Sequence, residues 1–238
     1  MNNSILDIVL PCYNPAEDFI EVLVVMVSEL EKIYPNTRIH LIVANDGSVR
    51  NFTEKEQTAL LAAIPGTEIV NLHPNQGKGA AVRAGIARSQ AEYTIYTDID
   101  MPYSIETMSE VIDRVMEGVD VVIAIRNRSY YSKLTPVRKL MSHGSKWLNW
   151  LFLNIKYTDT QGGLKGLSQR AKQIMLRTTI SDFLFDTEFI VLAARQKGVS
   201  ITEVESTLRQ EVVLSRMSLK VLFRELGHFF KIALRRWS

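Results

Sequence analysis

Short apolar runs alternate with stretches of helical periodicity through the first 125 residues of the chain. Five apolar runs predict buried strands, at residues 5–10, 38–44, 68–72, 93–97 and 119–125. Between them, apolar positions recur every three or four residues and predict helices over 15–34, 53–64, 79–89 and 104–116. This alternation predicts an α/β fold with a mostly parallel central sheet, helices on both faces and ligand-binding loops at the carboxyl ends of the strands.

Capping residues indicate where three of these helices begin. Pro15 suits the first turn of the first helix. Thr53 is followed three residues later by Glu56, which is the pattern of a capping box. Ser104 is a good N-cap for the fourth helix.

The second half of the chain departs from strict alternation. Its patterns predict a basic amphipathic helix over 136–157, a strand at 164–167, a helix over 186–197 ended by Gly198, short strands at 199–204 and 207–213, and a final helix over 219–237. Since no Pro/Gly/Ser-rich linker divides the chain, we expect one domain over 1–212, followed by a basic amphipathic helix within 213–238.

Composition narrows the function classes. The net charge of +2 gives no global field that would favour nucleic acid. Cys12 is the only cysteine, which excludes an intrachain disulfide and fits a reducing cytosol. The N-terminus lacks the pattern of a signal peptide, and no stretch approaches the roughly 20 apolar residues that span a bilayer. We therefore expect a cytoplasmic protein that at most lies on a membrane.

Two aspartates at the end of the fourth predicted strand are the first candidates for chemistry. Asp98 and Asp100 are one residue apart, so both carboxylates can reach one hard cation such as Mg²⁺ or Mn²⁺. The cation would bridge to diphosphate oxygens. The alternative is an ordinary solvated loop that contains two aspartates.

Two further loops carry polar residues where strands end. Asp46 can accept hydrogen bonds from a base or ribose, or it can close an Asx turn with its own backbone. Lys78 stands at a predicted helix N-terminus between Gly77 and Gly79, which suits a phosphate. The segment is neither a Walker loop nor a dinucleotide fingerprint, because the required glycines and hydroxyl residue are missing.

Four motifs, taken in order, resemble glycosyltransferase family 2, whose members have the GT-A fold. They are Leu-Pro-Cys-Tyr-Asn at 10–14, Asn-Asp-Gly-Ser at 45–48, the Asn-Gln-Gly-Lys-Gly segment at 75–85 and Thr-Asp-Ile-Asp at 97–100. Three later segments, at 126–128, 159–166 and 185–188, are similar to the dolichyl- and polyprenyl-phosphate sugar synthases. The resemblance covers about residues 4–210.

The resemblance implies a metal-dependent, inverting enzyme that uses a UDP- or GDP-sugar with Mg²⁺ or Mn²⁺. It implies a role near the nucleotide-sugar for Pro11, Tyr13, Asn14, Asp46, Lys78 and Gly79. It implies that Asp98 and Asp100 hold the metal and that Arg126 and Arg128 face phosphate.

Asp186 and Glu188 are the candidates for a general base. A hydroxyl acceptor needs a base, whereas a lipid phosphate is already anionic and needs none, in which case Asp186 would position the sugar or the acceptor. Both acids also suit the first turn of a helix on electrostatic grounds alone.

The basic residues are concentrated late in the chain, together with all three tryptophans. Ten Lys/Arg and one acid lie between Arg126 and Lys172, and seven Lys/Arg and two acids lie in 207–238. Trp147, Trp150 and Trp237 fall in these two blocks, and helices with such faces lie in lipid interfaces. We therefore expect a peripheral enzyme on the inner face of the membrane, with polyprenyl phosphate as acceptor and a membrane protein as a conjectured partner. Alternatively, these helices pack on the sheet.

Three other functions remain open from the sequence. The first is transfer to a saccharide or other hydroxyl acceptor. The second is a non-catalytic membrane-surface module, which the intact Asp98–Asp100 pair argues against. The third is a nucleotidyltransferase, although its Gly-rich N-terminal signature is absent at 11–14.

Overall fold

The computed structural model describes residues 4–126, 157 and 159–209. Up to residue 126, strands and helices alternate as the sequence predicts: β1 (Ser4–Cys12), α1 (Phe19–Ile33), β2 (Thr37–Asp46), α2 (Glu54–Ala63), β3 (Glu68–Leu72), α3 (Lys78–Arg88), β4 (Tyr93–Tyr96), α4 (Ile105–Met116) and β5 (Val121–Arg126). The later described elements are β6 (Lys165–Ser168), α5 (Gln169–Met175), α6 (Phe185–Arg195) and β7 (Ile201–Ser206).

The seven described strands form one mostly parallel sheet in the order β3-β2-β1-β4-β6-β5-β7. Strand β1 pairs in parallel with β2 and β4, and β5 pairs in parallel with β7. The strand predicted at 164–167 is β6, and it runs antiparallel to both β4 and β5. The predicted α/β class is confirmed, and the antiparallel β6 is the one reversal within the described sheet.

Both faces of the sheet are covered, as the alternation of strands and helices requires. In β1, Leu6, Ile8 and Leu10 point to one face, which is packed by α1 and α4. Val9 points to the other face and packs with side chains of α3 and α6. The strand is therefore buried on both sides, which explains its continuous apolar sequence.

Two of the three predicted helix starts are confirmed. Thr53 and Glu56 form the capping box of α2, and the Ser104 side chain accepts from the Thr107 N–H of α4. The prediction that Pro15 starts α1 is wrong, because the helix begins at Phe19. The Pro15 carbonyl instead accepts from Asn51 Nδ2, which ties this loop to the one that follows β2.

The sequence patterns also missed the short helix α5. Its seven residues are too few to show a clear period, but Ser168 caps it by accepting from the Ala171 N–H. The predicted strand at 207–213 is reduced, over the residues described, to a single bridge between Leu208 and Tyr103.

Several predictions fall outside the described residues. They are the helices over 136–157 and 219–237, the segment 213–238 as a separate unit, and Arg128. Among the helices that are described, none combines the length and apolar character needed to cross a membrane.

Candidate active site

A cleft of about 650 Å³ opens at the carboxyl ends of β1, β2 and β4. Parallel strands place their C-terminal loops at one edge of a sheet, so loops that are distant in sequence meet there. Five residues predicted from the sequence line this cleft: Pro11, Tyr13, Asp46, Lys78 and Asp98. They are joined by residues that the sequence did not single out as ligand contacts, chiefly Asn75, Gln76, Asp182 and Phe183.

Asp46 holds the neighbouring loop in place. Its two carboxylate oxygens accept from the backbone N–H groups of Gln76 and Gly77, at 2.7 and 2.8 Å, and its carbonyl accepts from Asn75 Nδ2 at 2.9 Å. The residue is only 3% exposed. Asp46 therefore forms no Asx turn here; it fixes the loop that precedes Lys78 and shapes the cleft through that loop.

Asn14 plays a similar part on the adjacent loop. Its Oδ1 accepts from the N–H groups of Val49 and Arg50, and its own N–H donates to Ser48 Oγ. The residue adopts a left-handed backbone conformation, with φ of 47°, which asparagine tolerates better than most residues. Tyr13, which precedes it, lines the cleft and is 53% exposed.

Lys78 and Asp98 form an ion pair within the cleft. Lys78 Nζ lies 2.5 Å from Asp98 Oδ1, with the two side chains 20% and 40% exposed. Burial alone would lower the pKa of Lys78, but the negative charges of Asp98, Asp186 and Asp100 outweigh it and raise that pKa. The N-terminus of α3 thus carries a lysine paired with a carboxylate.

Asp100 lies in the turn after β4, and Arg209 stabilises this turn through hydrogen bonds to its backbone. Partial desolvation and then the negative charge of Asp98 raise the pKa of Asp100. Arg209 donates to the carbonyls of Asp100 and Met101 at 2.8 and 2.9 Å, which fixes the turn after β4. Two carboxylates that repel each other when unpaired are suited to share a cation.

The carboxylate pair fits a divalent metal ion. No cluster of three or more metal-ligating side chains occurs among the residues described, so the protein would supply Asp98 and Asp100, with other oxygens completing the shell. Gly163 lies directly beside Asp98, and any larger residue there would crowd the carboxylate, because a Cβ would lie 2.9 Å from Asp98 Oδ2. The Gly163 N–H is anchored by Tyr103 Oη at 2.8 Å.

Gly77 and Gly79 are needed for close packing of the loop after β3. Gly77 has φ of 98°, and a Cβ there would lie 2.5 Å from the Ser181 carbonyl oxygen. A Cβ on Gly79 would lie 2.6 Å from the Ile180 carbonyl oxygen and 2.7 Å from Phe185. Gly79 was expected near the donor, and the structure gives it this packing role at the base of the cleft.

Asp186 lies in a buried polar cluster at the start of α6. Lys165 Nζ donates to Asp186 Oδ1 at 2.7 Å and to the Gly162 carbonyl at 2.5 Å, and Tyr96 Oη donates to the same Asp186 oxygen. Burial lowers the pKa of Lys165, an effect that the negative charges of Asp186 and Asp159 oppose. Burial and the charge on Asp186 raise the pKa of Tyr96.

Glu188, the second candidate base, is engaged elsewhere. Its carboxylate accepts from the N–H groups of Thr179 and Ile180, both at 2.8 Å, and from Thr179 Oγ1 at 3.0 Å. Arg83 binds the same segment from α3, donating to the Ile180 carbonyl at 2.6 Å and to Ser181 Oγ at 3.2 Å. Together they hold the segment that carries Asp182 and Phe183 into the cleft. Glu188 thus binds backbone groups of this segment, whereas Asp186 binds the side chains of Lys165 and Tyr96.

The remaining predicted residues and the missed ones can now be placed. Arg126 is the last residue of β5, with its side chain outside the described part of the chain, as is all of Arg128. Sequence reasoning missed Tyr96 and Lys165 as members of the site. A signal was present at Lys165, a charged residue inside the otherwise apolar and glycine-rich run 162–167.

The sequence model of the family described as Glycosyl transferase family 2 matches residues 7–174 of the chain. The chain belongs to this family. It is a glycosyltransferase, and the matched segment contains most of the cleft described above.

Curated relatives carry names that agree with this assignment. A dolichyl-phosphate beta-glucosyltransferase of Saccharomyces cerevisiae is 26% identical, over 91% of this chain and 70% of its own length. A Trichomonas vaginalis protein of the same name, ALG5A, is 28% identical over 82% of this chain and 61% of its own length. The chain thus spans about six to seven tenths of the length of these relatives.

Solved structures show the same fold at low sequence identity. Mannosyl-3-phosphoglycerate synthase from Rubrobacter xylanophilus has a TM-score of 0.68 at 17% identity, over 98% of this chain and 74% of its own. Glucosyl-3-phosphoglycerate synthase from Mycobacterium tuberculosis, in complex with Mn²⁺, UDP and phosphoglyceric acid, has a TM-score of 0.63 at 17% identity, over 100% and 81%. The GT-A fold expected from the sequence is confirmed.

Proposed function

We propose that this glycosyltransferase moves a hexose from a UDP- or GDP-sugar to a polyprenyl phosphate, with inversion at the anomeric carbon. The observation that supports the donor half is a cleft lined by Tyr13, Lys78 and Asp98, with Asp100 two residues beyond Asp98 in the turn after β4. An aromatic face, a cation and a carboxylate pair are what a base, a diphosphate and its metal require.

Asp98 and Asp100 would hold Mg²⁺ or Mn²⁺. When bound, the metal would neutralise charge on the donor's diphosphate. With a metal on Asp98, Lys78 would leave its ion pair with that carboxylate and would donate to a phosphate oxygen instead. Support comes from a fold neighbour that was crystallised with Mn²⁺ and UDP.

The residues of this chain would act on the donor as follows. Tyr13 stacks on the base, while Asp46 and Asn14 keep the two loops beneath it rigid. Lys78 stabilises the leaving diphosphate, since a positive charge placed in advance lowers the free energy of the charged transition state. An acceptor oxygen forms the new bond to the anomeric carbon, and the bond from that carbon to the diphosphate breaks.

The lipid-phosphate acceptor is supported by two independent lines. Relatives over 82–91% of the chain are named as dolichyl-phosphate glucosyltransferases. The sequence also carries two basic, tryptophan-containing blocks of the kind that bind anionic lipid surfaces. We place the enzyme on the cytoplasmic face of a membrane as a peripheral protein, with a membrane protein as an additional partner.

One observation favours a hydroxyl acceptor as the second candidate. Among the described residues, both donors to Asp186 bind Oδ1, and none binds Oδ2. A carboxylate with one fixed oxygen and one available oxygen has the form of a general base. A hydroxyl acceptor would transfer its proton to that oxygen as it attacks.

Transfer into an organic phase decides between the two acceptors. Purified protein is incubated with Mn²⁺, radiolabelled UDP- and GDP-sugars, and a short-chain polyprenyl phosphate, with the matching polyprenol as control. We expect metal-dependent label in the organic phase with the phosphate alone. Label transferred to the polyprenol or only to soluble sugars would support the hydroxyl acceptor instead.

A further inference from the structure

A fully buried lysine stands behind the cleft, and the metal and the nucleotide do not explain it. Lys165 is 0% exposed, and its ammonium group donates to Asp186 and to the Gly162 carbonyl. It also lies 5.5 Å from the centroid of the Tyr96 ring. The ammonium group is therefore surrounded by one carboxylate, one carbonyl and one aromatic face.

The sheet itself brings these groups together. Strand β6 runs antiparallel to β4, with Lys165 directly opposite Tyr96 in the register. Cross-strand partners place their side chains on the same face of a sheet, so the ammonium and the phenol reach the same point. Asp186 lies in the first turn of α6, and the ammonium and the phenol both donate to its Oδ1.

Fold stability alone does not account for this arrangement. Removing an ammonium and a carboxylate from water is unfavourable, and a buried ion pair can often be replaced by apolar residues without loss of stability. A β-branched or leucine residue would fill a strand position between apolar neighbours at lower cost. What the pair adds is a defined position and charge for Asp186.

Asp186 is also coupled to the cleft on its other side. It follows the cleft-lining residues Asp182 and Phe183, and its neighbour Phe185 packs against Gly79, next to Lys78. The carboxylate is thus held by a buried lysine on one side, and on the other it belongs to a segment that lines the cleft. With Oδ1 held by Lys165 and Tyr96, the remaining oxygen has one orientation relative to Lys78.

We infer that Lys165 and Tyr96 are positioning residues for sugar transfer, which hold Asp186 as an oriented carboxylate beside the donor. The inference rests on the proposed function, because it assigns these residues to the transfer step. It holds for either acceptor: Oδ2 receives the proton of a hydroxyl acceptor or a hydrogen bond from a hydroxyl group of the sugar. The positioning residues do not contact the nucleotide.

Two variants and a matched control test this inference. Tyr96→Phe removes one hydroxyl donor and keeps the ring, and Lys165→Met removes the ammonium and keeps much of the chain length. Lys172→Met is the control, because Lys172 is also a buried lysine, 2% exposed, but donates to Ser89 and Ala91 away from the cleft. For each protein, Tm, the Kd for UDP or GDP with Mn²⁺, and kcat and KM for donor turnover are measured.

We expect Tyr96→Phe and Lys165→Met to lower kcat by about tenfold or more, as loss of a hydrogen bond to a charged group does. Their Kd for the nucleotide and KM for the donor should change less than about threefold, since no nucleotide contact is removed. Lys172→Met should lower Tm and leave kcat at the wild-type value.

Two results would overturn the inference. One is an unchanged kcat in Tyr96→Phe and Lys165→Met, with a loss of Tm like that of the control, which would make the cluster purely structural. The other is an equal loss of nucleotide affinity and kcat. Failure of the proposed function is distinguishable, because it would be seen in the wild type, which would then bind neither nucleotide and turn over no donor.

Discussion

Lys78 Nζ lies 2.5 Å from Asp98 Oδ1, so a lysine occupies part of the space in which a metal-binding carboxylate would meet its cation. The two residues come from different strand ends, and the cleft brings their side chains together. The lysine has two effects on ligand binding. In the proposed function, it would compete with a metal for Asp98 and would supply positive charge to a diphosphate.

Substitution of Lys78 by Met separates these two effects. We expect Lys78→Met to bind Mn²⁺ alone at least as tightly as the wild type, because a competing cation is removed. It should bind UDP or GDP in the presence of Mn²⁺ about tenfold more weakly, because a charge-assisted hydrogen bond is lost. Titration calorimetry measures both. Loss of Mn²⁺ binding in the variant would contradict this account of the ion pair.

The loop before α3 should depend on Asp46. Replacing Asp46 with Asn leaves one carbonyl oxygen to serve the two N–H groups of Gln76 and Gly77, so one of these part-buried hydrogen bonds is lost. We expect a loss of about 1–3 kcal/mol in the free energy of unfolding and a weaker nucleotide Kd through disorder of the loop. Denaturant unfolding gives the first quantity. A variant with wild-type stability and lost nucleotide binding would show a direct ligand contact instead.

Glu188→Gln tests whether Glu188 is structural. The glutamine keeps one acceptor for the N–H groups of Thr179 and Ile180 but brings an amide into a position built for acceptors. Tm should fall, whereas kcat should stay within about threefold of the wild type, because the carboxylate takes no part in proton transfer. A loss of kcat by about 100-fold or more at unchanged Tm would restore Glu188 as a base.

The single cysteine should be unreactive in the native protein. Cys12 is 1% exposed, and burial raises its pKa to about 12, so at pH 8 the thiol stays protonated and shielded. We expect no reaction with a disulfide reagent such as DTNB until the protein is unfolded, and then one thiol per chain. Rapid labelling of folded protein at pH 8 would contradict the packing at this end of β1.

The sequence was sufficient for the architecture up to residue 126 because each strand there is a compact apolar run and each helix is long enough to show its period. It was insufficient for α5, which has only seven residues, and for the direction of β6, which depends on pairing with β4 and β5. Hydrophobic periodicity carries no information about strand direction.

The residue types at the strand ends predicted where the cleft lies. They predicted only part of what each residue does there. Asp46 and Asn14 are at the site, yet their side chains bind backbone from neighbouring loops, and such partners cannot be read from local sequence. Lys165 was missed for a related reason. Its partners Tyr96 and Asp186 are distant in the chain and meet only through the sheet register and the start of α6.

The metal-dependent nucleotide site is the central claim, and its most direct test is calorimetric binding of UDP and GDP with and without Mn²⁺. The proteins compared are the wild type, Asp100→Ala and the control Glu110→Ala, which removes an exposed acid of α4. We predict that Mn²⁺ strengthens binding of one nucleotide by about tenfold or more in the wild type and in Glu110→Ala, since a metal bridging carboxylates and diphosphate is worth several kcal/mol. Asp100→Ala should lose that gain. Equal nucleotide affinity with and without Mn²⁺ in all three proteins would contradict the claim.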